Sequence, residues 1–194
     1  MLTTTPCIIR ESSSGYSLID IRDEMLRHRE IECVGEIDAE LVYSISRQLR
    51  YLAQEDPEAE ITMYINSPGG DVVSGLALYD VMKGISCPIR TVCLGRAASM
   101  GAVLFACGDT RDILPHGSVM IHDPLIAGGL GGSALRIREI SDDLMRVRET
   151  VGAILAASTG KTIEEIYEKT ARDSFFTAEE AVAFGLADKI IKSL

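Results

Sequence analysis

The sequence predicts a single α/β domain built on a largely parallel sheet. Apolar, β-branched runs at 61–65, 89–94, 111–114 and 118–122 read as strands. Stretches of helical length at 71–84 and 99–107 lie between them. Strands that alternate with helices in this way pair in parallel, because each helix carries the chain back to the same end of the sheet. The chain has 194 residues, 46% of them hydrophobic, enough for one sizeable core, and it contains no internal repeat and no interdomain linker.

In chain order, the first predicted helix takes Asp38 as its N-cap, carries Leu41, Ile45, Leu49 and Leu52 on one face, and ends before Asp56-Pro57. Strand 61–65 closes on Tyr64-Ile-Asn-Ser-Pro-Gly-Gly70-Asp71, which opens the helix through Val73, Leu76, Ala77 and Met82. Strand 89–94 leads to the apolar helix 99–107, and two short strands follow at 111–114 and 118–122. The low-complexity stretch 128–133 precedes the longest periodic segment, 134–158, where Ile137, Ile140, Leu144, Val147, Val151, Ile154 and Leu155 alternate in threes and fours. Such a helix is about 37 Å long at 1.5 Å per residue, so part of it is expected to project and pack on another subunit. The same pattern also suits a helix lying along one edge of the monomer. Two capping boxes, Thr162 with Glu165 and Thr177 with Glu180, start short helices, the second ending at Gly185, and 170–176 between them reads as a loop.

Composition narrows the functional classes. Nineteen basic against 29 acidic residues give a net charge of −10 with no basic cluster, which argues against a nucleic-acid partner. No apolar stretch approaches the roughly 18 residues that span a membrane, and the N-terminus lacks a basic segment followed by an apolar one, so a soluble, cytosolic protein is expected. Cys7, Cys33, Cys87, Cys93 and Cys107 are odd in number and fit no metal spacing; buried free thiols are the default, and no metal or cofactor is expected.

Ser99 carries the strongest chemical signal. It stands in G-R-A-A-S-M-G-A at a sharp strand-to-helix junction, where a hydroxyl is exposed beside the first free amides of a helix. Ala97 replaces the first glycine of the G-x-S-x-G elbow, so tight packing alone is the competing explanation. His122 ends a strand before Asp123-Pro124 and is the one good candidate for a base; a satisfied, half-buried histidine is the alternative. His28 lies in a charged run and His116 in a Pro-His-Gly turn, with no strand to fix either. Asp173 sits in a supported turn and would serve either as the imidazole's partner or as a surface cap. The Gly69-Gly70 turn can offer bare amides to an oxyanion or an extended peptide, or be an ordinary turn with Asp71 at a helix start. A phosphate-binding reading is poor, since no G-K-S/T follows and Asp71 would repel the anion.

Together these motifs carry a resemblance. Y-I-N-S-P-G-G, A-A-S-M-G-A, V-M-I-H-x-P-L with its glycine-rich stretch, and T-x-R-D-x-F-x-x-A-E-E-A-x-x-x-G-L-x-D follow the order and spacing of the proteolytic subunit of the Clp protease, over about Pro6 to Ile191. The resemblance implies a ClpP/crotonase-like fold of stacked βαβ units with a projecting strand-helix handle at 124–158. It also implies Ser99 as nucleophile, His122 as general base, Asp173 as the group orienting the imidazole, and an oxyanion hole from the backbone N–H groups of Gly70 and Met100. It further implies an ATP-dependent serine endopeptidase: two stacked seven-membered rings enclosing the active sites, fed unfolded chains by an AAA+ unfoldase of the ClpX, ClpA or ClpC type. Residues 1–18 match the axial entrance segment, with hardly any room for a propeptide ahead of Thr3.

Three departures from the family pattern stand out. Asp123 replaces the usual Gln after the histidine and is expected to face substrate or solvent, since neighbours in an extended chain point to opposite faces. Ala171 replaces an acid, which removes a partner for Arg172 at the contact between rings. Of the positions matching the unfoldase-docking aromatics, Thr62, Tyr64 and Gly84, only Tyr64 keeps its ring, so docking is expected to be weak or to suit a different unfoldase. Two other readings remain open at this point: a structural or regulatory ring subunit beside an active paralogue, and a crotonase-type acyl-CoA enzyme, which needs no serine nucleophile.

Overall fold

The computed structural model describes residues 6–13, 15–126 and 131–194. A hairpin of β1 (Cys7–Ser12) and β2 (Gly15–Asp20) leads into α1 (Ile21–Arg27), β3 (Glu30–Ile37), α2 (Ala39–Glu55), β4 (Ile61–Gly70), α3 (Val72–Gly84), β5 (Ile89–Ala98) and α4 (Met100–Ala106). Then come β6 (Thr110–Ile113), β7 (Ser118–Ile121), α5 (Ala134–Thr159), α6 (Ile163–Thr170), β8 (Ser174–Phe176), α7 (Ala178–Phe184) and β9 (Lys189–Ile190).

The main sheet runs β3-β4-β5-β6-β9, every pair parallel. β5 is long enough to fork: residues 90–93 pair with β6 and residues 96–98 pair with β7, again in parallel. Within this sheet, among the described residues, only β8 runs antiparallel, on β7. Ile61, Met63 and Ile65 alternate into the core from β4, and α2 turns Val42, Ile45, Leu49 and Leu52 onto it. Every residue of α4 is buried, as its unbroken apolar sequence requires.

The predicted caps form as read. Asp38 accepts from Leu41 N, both capping boxes close in both directions, and Gly185 ends α7 in the left-handed conformation. Four differences from the sequence reading stand out, the first two with a physical cause. β4 and β5 run on through register shifts into the glycine- and alanine-rich ends that apolar pattern alone does not mark. Residues 174–176, predicted as loop, are a strand because β7 offers them an edge. The hairpin, α1 and β3 lie ahead of the first helix predicted from the sequence. Of the expected strand-helix handle, the helix is present, residues 122–126 and 131–133 are irregular, and 127–130 lie outside the described residues, as do residues 1–5 of the axial segment.

α5 divides into two halves. Leu135, Ile137 and Met145 are exposed, whereas Val151 and Leu155 are buried against the body. The helix is about 39 Å long for its 26 residues.

Candidate active site

Ser99 joins β5 to α4 with φ 53° and ψ −124°, a conformation that a non-glycine residue holds only when its surroundings impose it. Ser99 N donates to Met120 O at 2.9 Å, and Ser99 O accepts from Ala102 N and Val103 N. As N-cap, a serine ordinarily turns its hydroxyl onto the helix amides. This hydroxyl makes no capping bond. Its Oγ lies 2.9 Å from His122 Nε2 instead.

The turn that ends β4 presses on Ser99 from the other side. Gly69 has φ +97°, and a Cβ there would lie 2.6 Å from Ser99 Cβ and 2.8 Å from Ala98 O. Ser67 Oγ, buried, accepts from Gly69 N at 3.1 Å and holds the turn. At Gly70 a Cβ would meet Ile37 O at 2.2 Å. Both glycines are therefore required by close approach, Gly69 to Ser99 and Ala98 and Gly70 to the Ile37 backbone. Met100, the first residue of α4, has an N–H with no partner within the helix.

Strand register brings His122 to Asp173. The antiparallel β7–β8 ladder ends with Ile121 opposite Ser174, so the next rung sets His122 against Asp173. His122 Nδ1 and Asp173 Oδ1 are 3.7 Å apart, within reach of an ion pair and beyond a hydrogen bond. The His122 side chain is 14% exposed and that of Asp173 62%. With the proton on Nδ1, Nε2 is free to accept from the Ser99 hydroxyl.

Asp123, expected to face substrate or solvent, has a side chain 34% exposed with both carboxylate oxygens bonded: Arg148 Nε donates to its Oδ2 at 2.7 Å and the Thr170 hydroxyl to its Oδ1 at 2.5 Å. Sequence reasoning missed Arg148 and Thr170 because the three residues lie on separate segments and no spacing rule links them. Arg172 is exposed in the turn before β8. Tyr64 lies on β4, ahead of the Gly69-Gly70 turn, its hydroxyl 3.4 Å from Glu30 Oε1; burial first and the Glu30 charge second push the phenol up.

An apolar pocket opens beside Ser99 and His122, lined by Val72, Met100, Val103, Ile121, Val151 and Leu155. A larger groove of about 520 Å³ between α1, β3 and α2 shares no lining residue with it and carries Asp20, Asp23, Glu30 and Glu32. Among the described residues no cluster of three or more His, Cys, Asp or Glu is placed to hold a metal ion.

A serine at a strained strand-to-helix turn, a histidine at its hydroxyl and a carboxylate behind the histidine can perform acyl transfer. The model of the family described as Clp protease matches residues 13–194. The chain belongs to the Clp protease family. All the residues described above lie within the matched span, so the peptidase character of the family and the local geometry concern the same part of the chain. No helix among the described residues is long and apolar enough to cross a membrane.

Proposed function

We propose that the chain is a serine endopeptidase subunit that cleaves polypeptides through an acyl-enzyme. The observation that carries this reading is the Ser99 hydroxyl, withdrawn from helix capping and placed 2.9 Å from His122 Nε2. His122 takes the hydroxyl proton as Ser99 attacks the peptide carbonyl, and later returns it to the leaving amine. Asp173 orients the imidazole and stabilises its cation. The N–H groups of Gly70 and Met100 receive the developing oxyanion, each worth roughly 3 kcal/mol of barrier.

Family membership supports a ring assembly that works with Clp ATPases. In this reading two seven-membered rings stack through residues 124–158, where the exposed Leu135, Ile137 and Met145 of α5 need a cover, and Arg172 lies at the contact between rings. Residues 1–18 line the axial entrance, Tyr64 contributes to the docking of an AAA+ unfoldase, and the assembly works in the cytoplasm. Peptidase activity of the purified chain, measured beside its particle mass, tests the reading. Cleavage by a barrel-sized particle supports it, and a barrel-sized particle without cleavage selects a structural ring subunit.

A further inference from the structure

Both oxygens of the Asp123 carboxylate are taken, by Arg148 Nε and by the Thr170 hydroxyl, and its backbone N–H donates to Thr170 O at 2.7 Å. Thr170 is buried and the Asp123 side chain only 34% exposed, so these bonds form where water competes poorly. Arg148 is itself held: its guanidinium carbon lies 3.6 Å from the centre of the Tyr167 ring. That ring fits against α5 at Gly152, where a Cβ would meet it at 2.7 Å.

This clamp stands on one side of the His122–Asp173 pair, and the last rung of the β7–β8 ladder, Ile121 with Ser174, stands on the other. Asp173 is exposed and 3.7 Å from the imidazole, so its direct contact with His122 is too weak to fix the separation. The bracket fixes it. We propose that Asp123 is a positioning residue: its carboxylate, gripped by Arg148 and Thr170, sets the distance across which Asp173 orients His122. The inference rests on the catalytic reading of Ser99, His122 and Asp173.

A clamp that only added stability would change melting temperature and leave turnover alone; a positioning clamp changes kcat and leaves KM. The test compares Asp123→Asn, Thr170→Val and Thr170→Ser in the full, assembled chain, measuring kcat and KM on a peptide together with thermal melting. Asp123→Asn and Thr170→Val are each expected to lower kcat roughly tenfold to a hundredfold with KM within about twofold, since small misplacements of a catalytic group have effects of that size. Thr170→Ser, which keeps the hydroxyl, is expected to retain near-normal kcat. A kcat within about twofold of the original in Thr170→Val, a loss confined to KM, or no recovery in Thr170→Ser overturns the proposal. Should Asp123→Asn fail to fold, the Thr170 pair decides. Failure of the underlying reading looks different: Ser99→Ala would then still cleave peptide, whereas failure of this inference alone leaves Ser99→Ala inactive and Thr170→Val active.

Discussion

Ser99 holds a backbone conformation that costs on the order of 1–3 kcal/mol, and it is kept there by Met120 O, by α4 and by the bare backbone of Gly69. Removing the hydroxyl disturbs none of those supports. Ser99→Ala is therefore expected to assemble normally and lose about 10⁴-fold or more in kcat; His122→Ala should match it, and the double variant should cost little more than either, because the two act as a unit. Additive losses in the kinetic cycle would contradict that. Gly69→Ala forces a methyl to within 2.6 Å of Ser99 Cβ at a positive φ, so both melting temperature and activity should fall. Ser99 and His122 stood out as candidates in local patterns, a small-residue turn and a strand end before proline, whereas Asp173 joined them only through the family resemblance, its turn suiting a surface cap equally well. The partners of Asp123 were not legible, since they come from α5 and α6 and the sequence holds no record of which segments meet.

At the scale of elements, the same logic separates what periodicity discloses from what pairing imposes. α2, α3, α5 and the two capped helices follow from spacing and cap residues, whereas β8, three residues long, exists only because β7 presents an edge. Caps have calculable effects: Thr177→Ala removes one half of a closed capping box and should cost about 1 kcal/mol, read as a shift in denaturant midpoint with unchanged slope. Arg111 ties β6 to the far end of the chain by bonding Asp188, Ser158 O and Gly185 O. Burial raises the Asp188 carboxyl, but the Arg111 hydrogen bonds outweigh it and hold the group below its ordinary value. A carboxyl depressed in the folded state contributes stability above its unfolded value near 3.9, and that contribution is lost as pH falls through the folded value. Asp188→Asn should therefore be destabilised at pH 7, with the gap to the original chain closing below about pH 4. A gap that does not narrow as the pH is lowered from 7 to 3 in parallel denaturant titrations would contradict the ion-pair account.

For the whole molecule, the exposed half of α5 and the exposed Arg172 mark where copies meet in the proposed rings. Ala171 ends α6 where an acid would face Arg172 of another subunit. Ala171→Glu supplies it; one partly exposed pair is worth at most about 1 kcal/mol, but symmetry repeats it around the interface. Sedimentation with parallel assays should find a larger stacked fraction and higher activity, both gains shrinking in high salt. Unchanged mass and activity would mean that residues 124–158 alone hold the rings together. Burial pushes the Cys33 and Cys93 thiols up to about 12 and Cys107 to about 11, so alkylation near neutral pH should leave these three unmodified in the native assembly. The central claim is that Ser99 is a nucleophile activated by His122. Reaction of the purified chain with a fluorophosphonate, followed by mass mapping of the adduct, tests it most directly: a single adduct on Ser99 that slows sharply in His122→Ala is the predicted result, and no adduct, or an adduct on another serine while Ser99→Ala still cleaves peptide, would contradict it.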